Sequence, residues 1–301
     1  SAICSSASAR NRGLMTSSAT SRSRVRTSSV STPARYRGAA GGAAAAAPGA
    51  TDLVGVSPGW RPSHPLLVAA AERGVPVWSE VELAWRLRVA GPSGRPAPWL
   101  AVTGTNGKTT TVEMLETILR TAGLRTAAVG NVGTPVVEAA LDPTLEVLAV
   151  ELSSFQLHFT HTTSPEAGAV LNVAPDHLDW HGGIDAYAAD KGRVFEDVRV
   201  ACVYNVADPR TEALVREADV VEGARAVGFT LGAPARGQLG VIEDVLVDRA
   251  FHAPADAPDR HTHAAERAPL GARALRAGAG GGVPAPGGAR GVAAAGGGLA
   301  P

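Results

Sequence analysis

"WLAVTGTNGKTTTVEMLETIL", Trp99 to Leu119, decides how the rest of the chain is read. An apolar run breaks at Gly104, turns through a second glycine, Gly107, and passes directly into a helix-forming stretch. It reads as a strand over Trp99–Val102, a loop, and a helix over Thr109–Ala122. In Thr103-Gly104-Thr105-Asn106-Gly107-Lys108-Thr109-Thr110 the glycines let backbone N–H groups turn inward around anionic oxygens, and the helix N-terminus adds a positive field. Lys108 puts a compact charge on the outer phosphates of a nucleotide, and the Thr109 hydroxyl can hold Mg²⁺. The general phosphate-loop pattern has a glycine five residues before Gly107, where this chain has Val102, so the match is to a shortened form. The plainer alternative is a glycine-rich turn that merely starts a helix.

Residue usage singles out the same lysine. Of 28 basic residues in 301, two are lysines, Lys108 and Lys191. A chain that uses arginine elsewhere has placed lysine where a planar, permanently charged fork would not serve.

Working outward, strands and helices alternate. Upstream lie a short strand (53–56), a Ser57-Pro58-Gly59 turn, a helix (65–73), a strand (75–78) and a helix from Glu80. The prolines and glycines of "VAGPSGRPAP" then break the chain before Trp99. Downstream, strands are expected at 125–129, 147–150, 167–171 and 200–204, with helices at 134–141, near 183–194 and at 209–218. The expected fold is α/β, a doubly wound parallel sheet whose ligands gather at the carboxyl ends of the strands.

Composition sets the limits of this unit. Residues 1–50 hold seven arginines and no acid, and residues 252–301 are mostly Ala, Gly, Pro and Arg without Ile, Phe, Tyr, Trp, Met or Lys. Such segments bury too little apolar surface to offset an ordering entropy of roughly 1–2 kcal/mol per residue. They read as off-frame translation of a GC-rich gene, with an organellar transit peptide as the other reading of the start. The expected organisation is 1–50 outside the fold, 51–96 the remnant of a substrate-binding α/β domain, 97–251 an incomplete nucleotide-binding domain, and 252–301 a low-complexity tail. A net charge of zero disfavours nucleic acid as a partner. Two cysteines fit a reducing compartment, and no apolar run reaches the roughly 18 residues of a membrane span.

The other strand ends carry chemistry. The run "LEVLAV" ends at Glu151, which is placed either to ligate Mg²⁺ beside the phosphates or to cap the helix begun by Ser153-Ser154. After the next strand come Asn172, Asp176, His177, Asp179 and His181. His177 and His181 could be a zinc pair, but no glutamate stands between them in the metalloprotease pattern. His177 as ligand of a hard cation or contact to substrate, and His177 as a structural histidine, both stay open. Lys191 is either a solvated charge or a buried amine able to lose its proton, take up CO₂ and become a carbamate ligand for Mg²⁺.

These residues lie in a set of strings that resembles a known family: "SPGWRPSHPLL", "VTGTNGKTTT", "GNVG", "ELSSFQL", "LNVAPDHLDWHGGIDAYAADKGRVF", "YNVADPRTEALV" and "VGFTLG". Together they are similar to the Mur ligases, in particular the actinobacterial peptidoglycan ligases that add D-glutamate. Sister ligases share the loop but differ after the strand glutamate, and folylpolyglutamate synthetases share loop and sheet but not "ELSSFQL". The resemblance implies ATP and two Mg²⁺ ions, with Gly104, Thr105, Asn106, Gly107, Lys108, Thr109 and Thr110 on the phosphates. It implies Thr109, Glu151, His177 and a carbamylated Lys191 on metal, a catalytic set of Lys108, His177 and Lys191, and substrate contacts from Asn131 and Gly59. Tyr187 holds its family position without an assigned role. UDP-N-acetylmuramoyl-L-alanine and D-glutamate are the implied substrates of a monomeric, cytoplasmic enzyme working through an acyl-phosphate.

The likeness fades after Phe251, so the last part of the central domain and a C-terminal domain are expected to be missing. The chain as written is then expected to be unstable and inactive, with a bare ATP-binding module and a folate-type ligase as the alternatives.

Overall fold

A computed structural model describes residues 51–251 and the two-residue strand His263–Ala264. Apart from that strand, the expectations for 1–50 and 252–301 lie outside the described residues.

The first unit is a small parallel pair, β1 (Val54–Val56) and β2 (Val77–Ser79), with α1 (Pro65–Glu72) between them and α2 (Glu80–Leu87) after. His64 caps α1 through its ring, and Ser79 caps α2 through its hydroxyl. Val81 and Ala84 of α2 are buried in the same cluster as Trp99, Leu148, Leu157 and Phe195, so this helix helps to build the main core.

The main sheet is assembled from β3 (Trp99–Thr103), β4 (Thr126–Gly130), β5 (Val147–Glu151), β6 (Ala167–Val170), β7 (Ala201–Asn205), β8 (Arg225–Phe229), β9 (Gln238–Ile242), β10 (Val245–Asp248) and β11 (His263–Ala264). Its order is β11-β10-β9-β8-β7-β6-β3-β5-β4, parallel from β4 to β9 and antiparallel beyond. Strand β5 is buried along its whole length, as a central parallel strand covered on both faces must be. The connections carry α3 (Lys108–Thr121), α4 (Val136–Ala140), α5 (Ser154–His158), α6 (Leu178–His181), α7 (Ile184–Gly192), a 3₁₀ turn (Arg193–Phe195) and α8 (Pro209–Glu217).

Two departures from the sequence reading have physical causes. The expected sheet stops at Tyr204, yet β8 to β11 continue it. Ile242 and Val245 are joined by Glu243-Asp244, with Glu243 at φ 56°, in place of the Asn-Gly or Asp-Gly that signals a tight hairpin. The helix expected near 183–194 is α7 running into a 3₁₀ turn, and a short helix not expected, α6, precedes it across Gly182 and Gly183, both at positive φ.

Strand order reverses at β3, which lies between β5 and β6. A crevice opens at the carboxyl ends of strands where the order reverses. Gly104, Glu151 and Leu171 leave the sheet at that rim.

Candidate active site at the strand carboxyl ends

The loop after β3 is shaped by close backbone approach. Gly104 has φ 156°, and a Cβ built on it would stand 3.1 Å from Leu171 Cβ and 3.4 Å from Asn172 N. Asn172 clamps the loop from the next strand, its Oδ1 accepting from Asn106 N at 2.9 Å and its Nδ2 donating to Asn106 O at 3.0 Å. Gly107, at φ 83°, stands at the N-cap of α3 and no side chain caps that helix. The first-turn N–H groups of α3 therefore remain available to an anion.

Both lysines turn back onto this loop. Lys108 Nζ donates to the carbonyls of Gly104 and Thr105 at 3.0 and 3.1 Å. Lys191 Nζ donates to the same Gly104 carbonyl at 3.0 Å. Lys191 is 2% exposed, which excludes its reading as a solvated charge. Burial first, and then the nearby Lys108 charge, push its pKa down to about 7. Burial also lowers Lys108, against the pull of Glu151 and Asp176.

Glu151 is likewise buried. Its Oε2 accepts from the Thr109 hydroxyl at 2.8 Å and its Oε1 from Asn131 Nδ2 at 3.0 Å. It does not cap the next helix: Ser153 does, in a reciprocal arrangement with Gln156. Asn131, expected on substrate, spends its amide on this carboxylate. Thr105, Asn106 and Thr110 complete the loop, with the Thr105 hydroxyl 3.0 Å from Tyr187 Oη. Tyr187 thus gains a place sequence could not give it, with its ring 4.4 Å from Lys191 Nζ and its hydroxyl on the loop.

His177 starts α6 at φ 49°, half exposed, with its ring 4.8 Å from that of Phe155 and its Nε2 3.5 Å from Asp176 Oδ2. Gly59 reaches the same helix, its carbonyl accepting from Trp180 Nε1 at 3.1 Å, while Arg61 pairs with Asp179. His181 is directed elsewhere: its Nδ1 is 2.8 Å from Asp190 Oδ2 and its Nε2 3.0 Å from Ser154 Oγ. Both ring nitrogens of His181 are thus engaged away from His177, and among the described residues no group of three His, Cys, Asp or Glu side chains that could hold a metal ion is found.

A hydroxyl and a carboxylate beside an uncapped helix start form a hard-oxygen set suited to Mg²⁺ and phosphate. Asp190, Ser154 and His158 were missed by the sequence reading; the one available signal was an acidic residue directly before the second lysine.

A family model described as the Mur ligase middle domain matches residues 102–252. UDP-N-acetylmuramoylalanine--D-glutamate ligase of Streptomyces avermitilis is 64% identical over 211 residues, which is 70% of this chain and 44% of that protein. The enzyme of the same name from Thermobifida fusca is 57% identical over 207 residues, 68% of this chain and 43% of that one. The chain thus spans less than half the length of these relatives. A solved UDP-N-acetylmuramoyl-L-alanyl-D-glutamate--2,6-diaminopimelate ligase superposes at a TM-score of 0.49 with 20% identity, over 70% of this chain and 51% of that one.

Proposed function

Because the chain belongs to the Mur ligase middle-domain family, we propose that it carries the nucleotide- and metal-handling part of an ATP-dependent ligase joining D-glutamate to UDP-N-acetylmuramoyl-L-alanine in the cytoplasm. The observation that supports this reading is the convergence of Lys108, Lys191 and the Thr109–Glu151 pair on one rim of the sheet.

In this reading the loop from Gly104 to Thr110 holds the triphosphate through backbone N–H groups. Lys108 leaves its two carbonyl acceptors for the outer phosphates, which keeps charge on the transferring group without covalent chemistry. Two Mg²⁺ ions, when bound, neutralise phosphate charge; Thr109, Glu151, His177 and a carbamylated Lys191 are the residues that would hold them. The substrate carboxylate forms a bond to the γ-phosphorus as ADP leaves, and the D-glutamate amine then displaces phosphate to form the amide. Asn131 orients Glu151, and Gly59 and Asn131 are the residues that would contact the sugar-alanine substrate. Lys191 suits carbamylation because burial, by pushing its pKa to about 7, leaves a neutral fraction of the amine near neutral pH, and only the neutral amine attacks CO₂.

The 301-residue polypeptide by itself binds Mg-ATP without turning over. Isothermal titration should give saturable Mg-ATP binding, and no ADP should form with both other substrates present. A folded chain that fails to bind Mg-ATP overturns the nucleotide assignment. D-glutamate-dependent ADP release overturns the claim of inactivity.

A further inference from the structure

Besides Thr109 at the start of α3, three elements carry the residues assigned above to metal. Glu151 ends β5 and leads into α5, His177 begins α6, and Lys191 lies in the last turn of α7. One buried carboxylate joins all three. Asp190 accepts from His158 Nδ1 of α5 at 2.9 Å on both oxygens and from His181 Nδ1 of α6 at 2.8 Å, and Arg193 Nε lies 3.5 Å away. His158 is seven residues beyond Glu151, His181 one helical turn beyond His177, and Asp190 directly precedes Lys191.

The hydrogen bonds fix the Nδ1 side of both rings. A carboxylate accepts and does not donate, so each histidine presents Nδ1–H to Asp190. Burial lowers the His181 pKa and favours the neutral ring, in which Nε2 accepts from the Ser154 hydroxyl at 3.0 Å. The His181 side chain is fully buried and Ser154 nearly so. The Ser154–His181–Asp190 sequence is therefore closed to any substrate, and its work is structural.

We infer that Asp190 is a positioning residue, a hub whose contacts to His158 and His181 set the rotation of α7 and hold the Lys191 amine on the loop. Tyr187 and Ala188 pack α7 into the core and Gly192 lies close against Leu214, while the Asp190 contacts are the ones that tie the helix to α5 and α6. Its N-cap, Gly183, supplies no side chain, and the helix passes at Gly192 into a 3₁₀ turn. Tyr187 and Lys191, at i and i+4, face the loop together, and the Asp190 contacts anchor the adjacent face. The consequence for metal binding rests on the function proposed above, but the geometric statement does not.

The chain's two lysines make the test direct. Lysine labelled with ¹³C at the ε carbon yields two side-chain resonances, assigned with K108R. The Lys191 ε-protons lie against the Tyr187 ring and should be shifted upfield by its ring current. In D190N, which keeps shape but offers one acceptor to two donors, that shift should be lost while the Lys108 resonance stays in place. H158A, which removes one partner from the α5 side, should move the Lys191 signal in the same direction by less. Far-UV circular dichroism identifies a variant that has unfolded. A Lys191 resonance unmoved in folded D190N, or moved equally with that of Lys108, overturns the inference. A Mg-ATP titration of the wild type, run separately, reports on the functional reading, and its failure would leave the resonance result standing.

Discussion

Lys108 and Lys191 donate to one acceptor, the Gly104 carbonyl, each at 3.0 Å. Two amines converging on one oxygen cannot both stay charged at low cost away from water. The more buried of them, Lys191, gives way, with its pKa pushed down to about 7.

This sets a pH dependence of stability. Between pH 7 and 10.5 the unfolded chain keeps the Lys191 proton and the folded chain releases it, so stability rises with pH through that window. The slope is at most about 1.4 kcal/mol per pH unit for one proton. Urea midpoints in CO₂-free buffer should show wild type gaining on K191M from pH 7 to 9. A difference that stays flat would remove the lowered pKa from the account.

The Thr109–Glu151 hydrogen bond predicts a metal-specific defect. E151Q keeps the size of the side chain but removes the charge that draws a divalent cation to the loop. The variant should bind ATP about equally with Mg²⁺ and with EDTA, while wild type should bind at least about tenfold more tightly with Mg²⁺, roughly 1.4 kcal/mol. Calorimetric titration of both proteins in both buffers provides the comparison. An E151Q chain that retained the full Mg²⁺ effect would place the metal elsewhere.

Much of this rim was legible in advance because a strand, a glycine turn and a helix start put Lys108 and Thr109 at a known place, and the parallel-sheet rule brings Glu151 to the same edge. Lys191 was found by its rarity. The Asp190 hub was not legible, since it depends on how α5, α6 and α7 pack, and a histidine at 158 has no periodic relation to one at 181. The hairpin after Ile242 escaped for a different reason: Glu243 adopts a left-handed conformation usually filled by glycine or asparagine.

Two glycines in "GNVG" separate steric need from backbone preference. A Cβ on Gly130 would stand 2.1 Å from Glu151 O with φ at 122°, whereas one on Gly133, at φ 85°, meets nothing nearer than Ala128 O at 3.7 Å. G133A should cost about 1 kcal/mol, the penalty of a left-handed alanine. G130A must also push β4 away from the end of β5 and should cost about 3 kcal/mol or more. Equal losses in urea denaturation would mean that the close strand approach carries no weight.

Glu82 connects the first unit to the main sheet, and its charge state should govern acid stability. Its side chain is fully buried, accepting from His161 N at 2.8 Å, Thr162 N at 2.9 Å, the Thr162 hydroxyl at 2.7 Å and Arg86 Nε at 2.7 Å. Burial raises its pKa, but the backbone donors of His161 and Thr162 and their side-chain neighbours outweigh that and hold it below 4.5. A depressed carboxylate stabilises above its unfolded pKa and loses that contribution as pH falls through the folded value. E82Q presents an amide to donors that need an acceptor, and should cost about 2–4 kcal/mol at pH 7. As pH falls past the ordinary glutamate range and wild type takes up the same proton, the gap should narrow. Urea midpoints of both proteins from pH 3.5 to 7 test this. A gap that widened on acidification would mean that the carboxylate is strained in the fold, and that the attachment of α2 to the loop after α5 rests on packing alone.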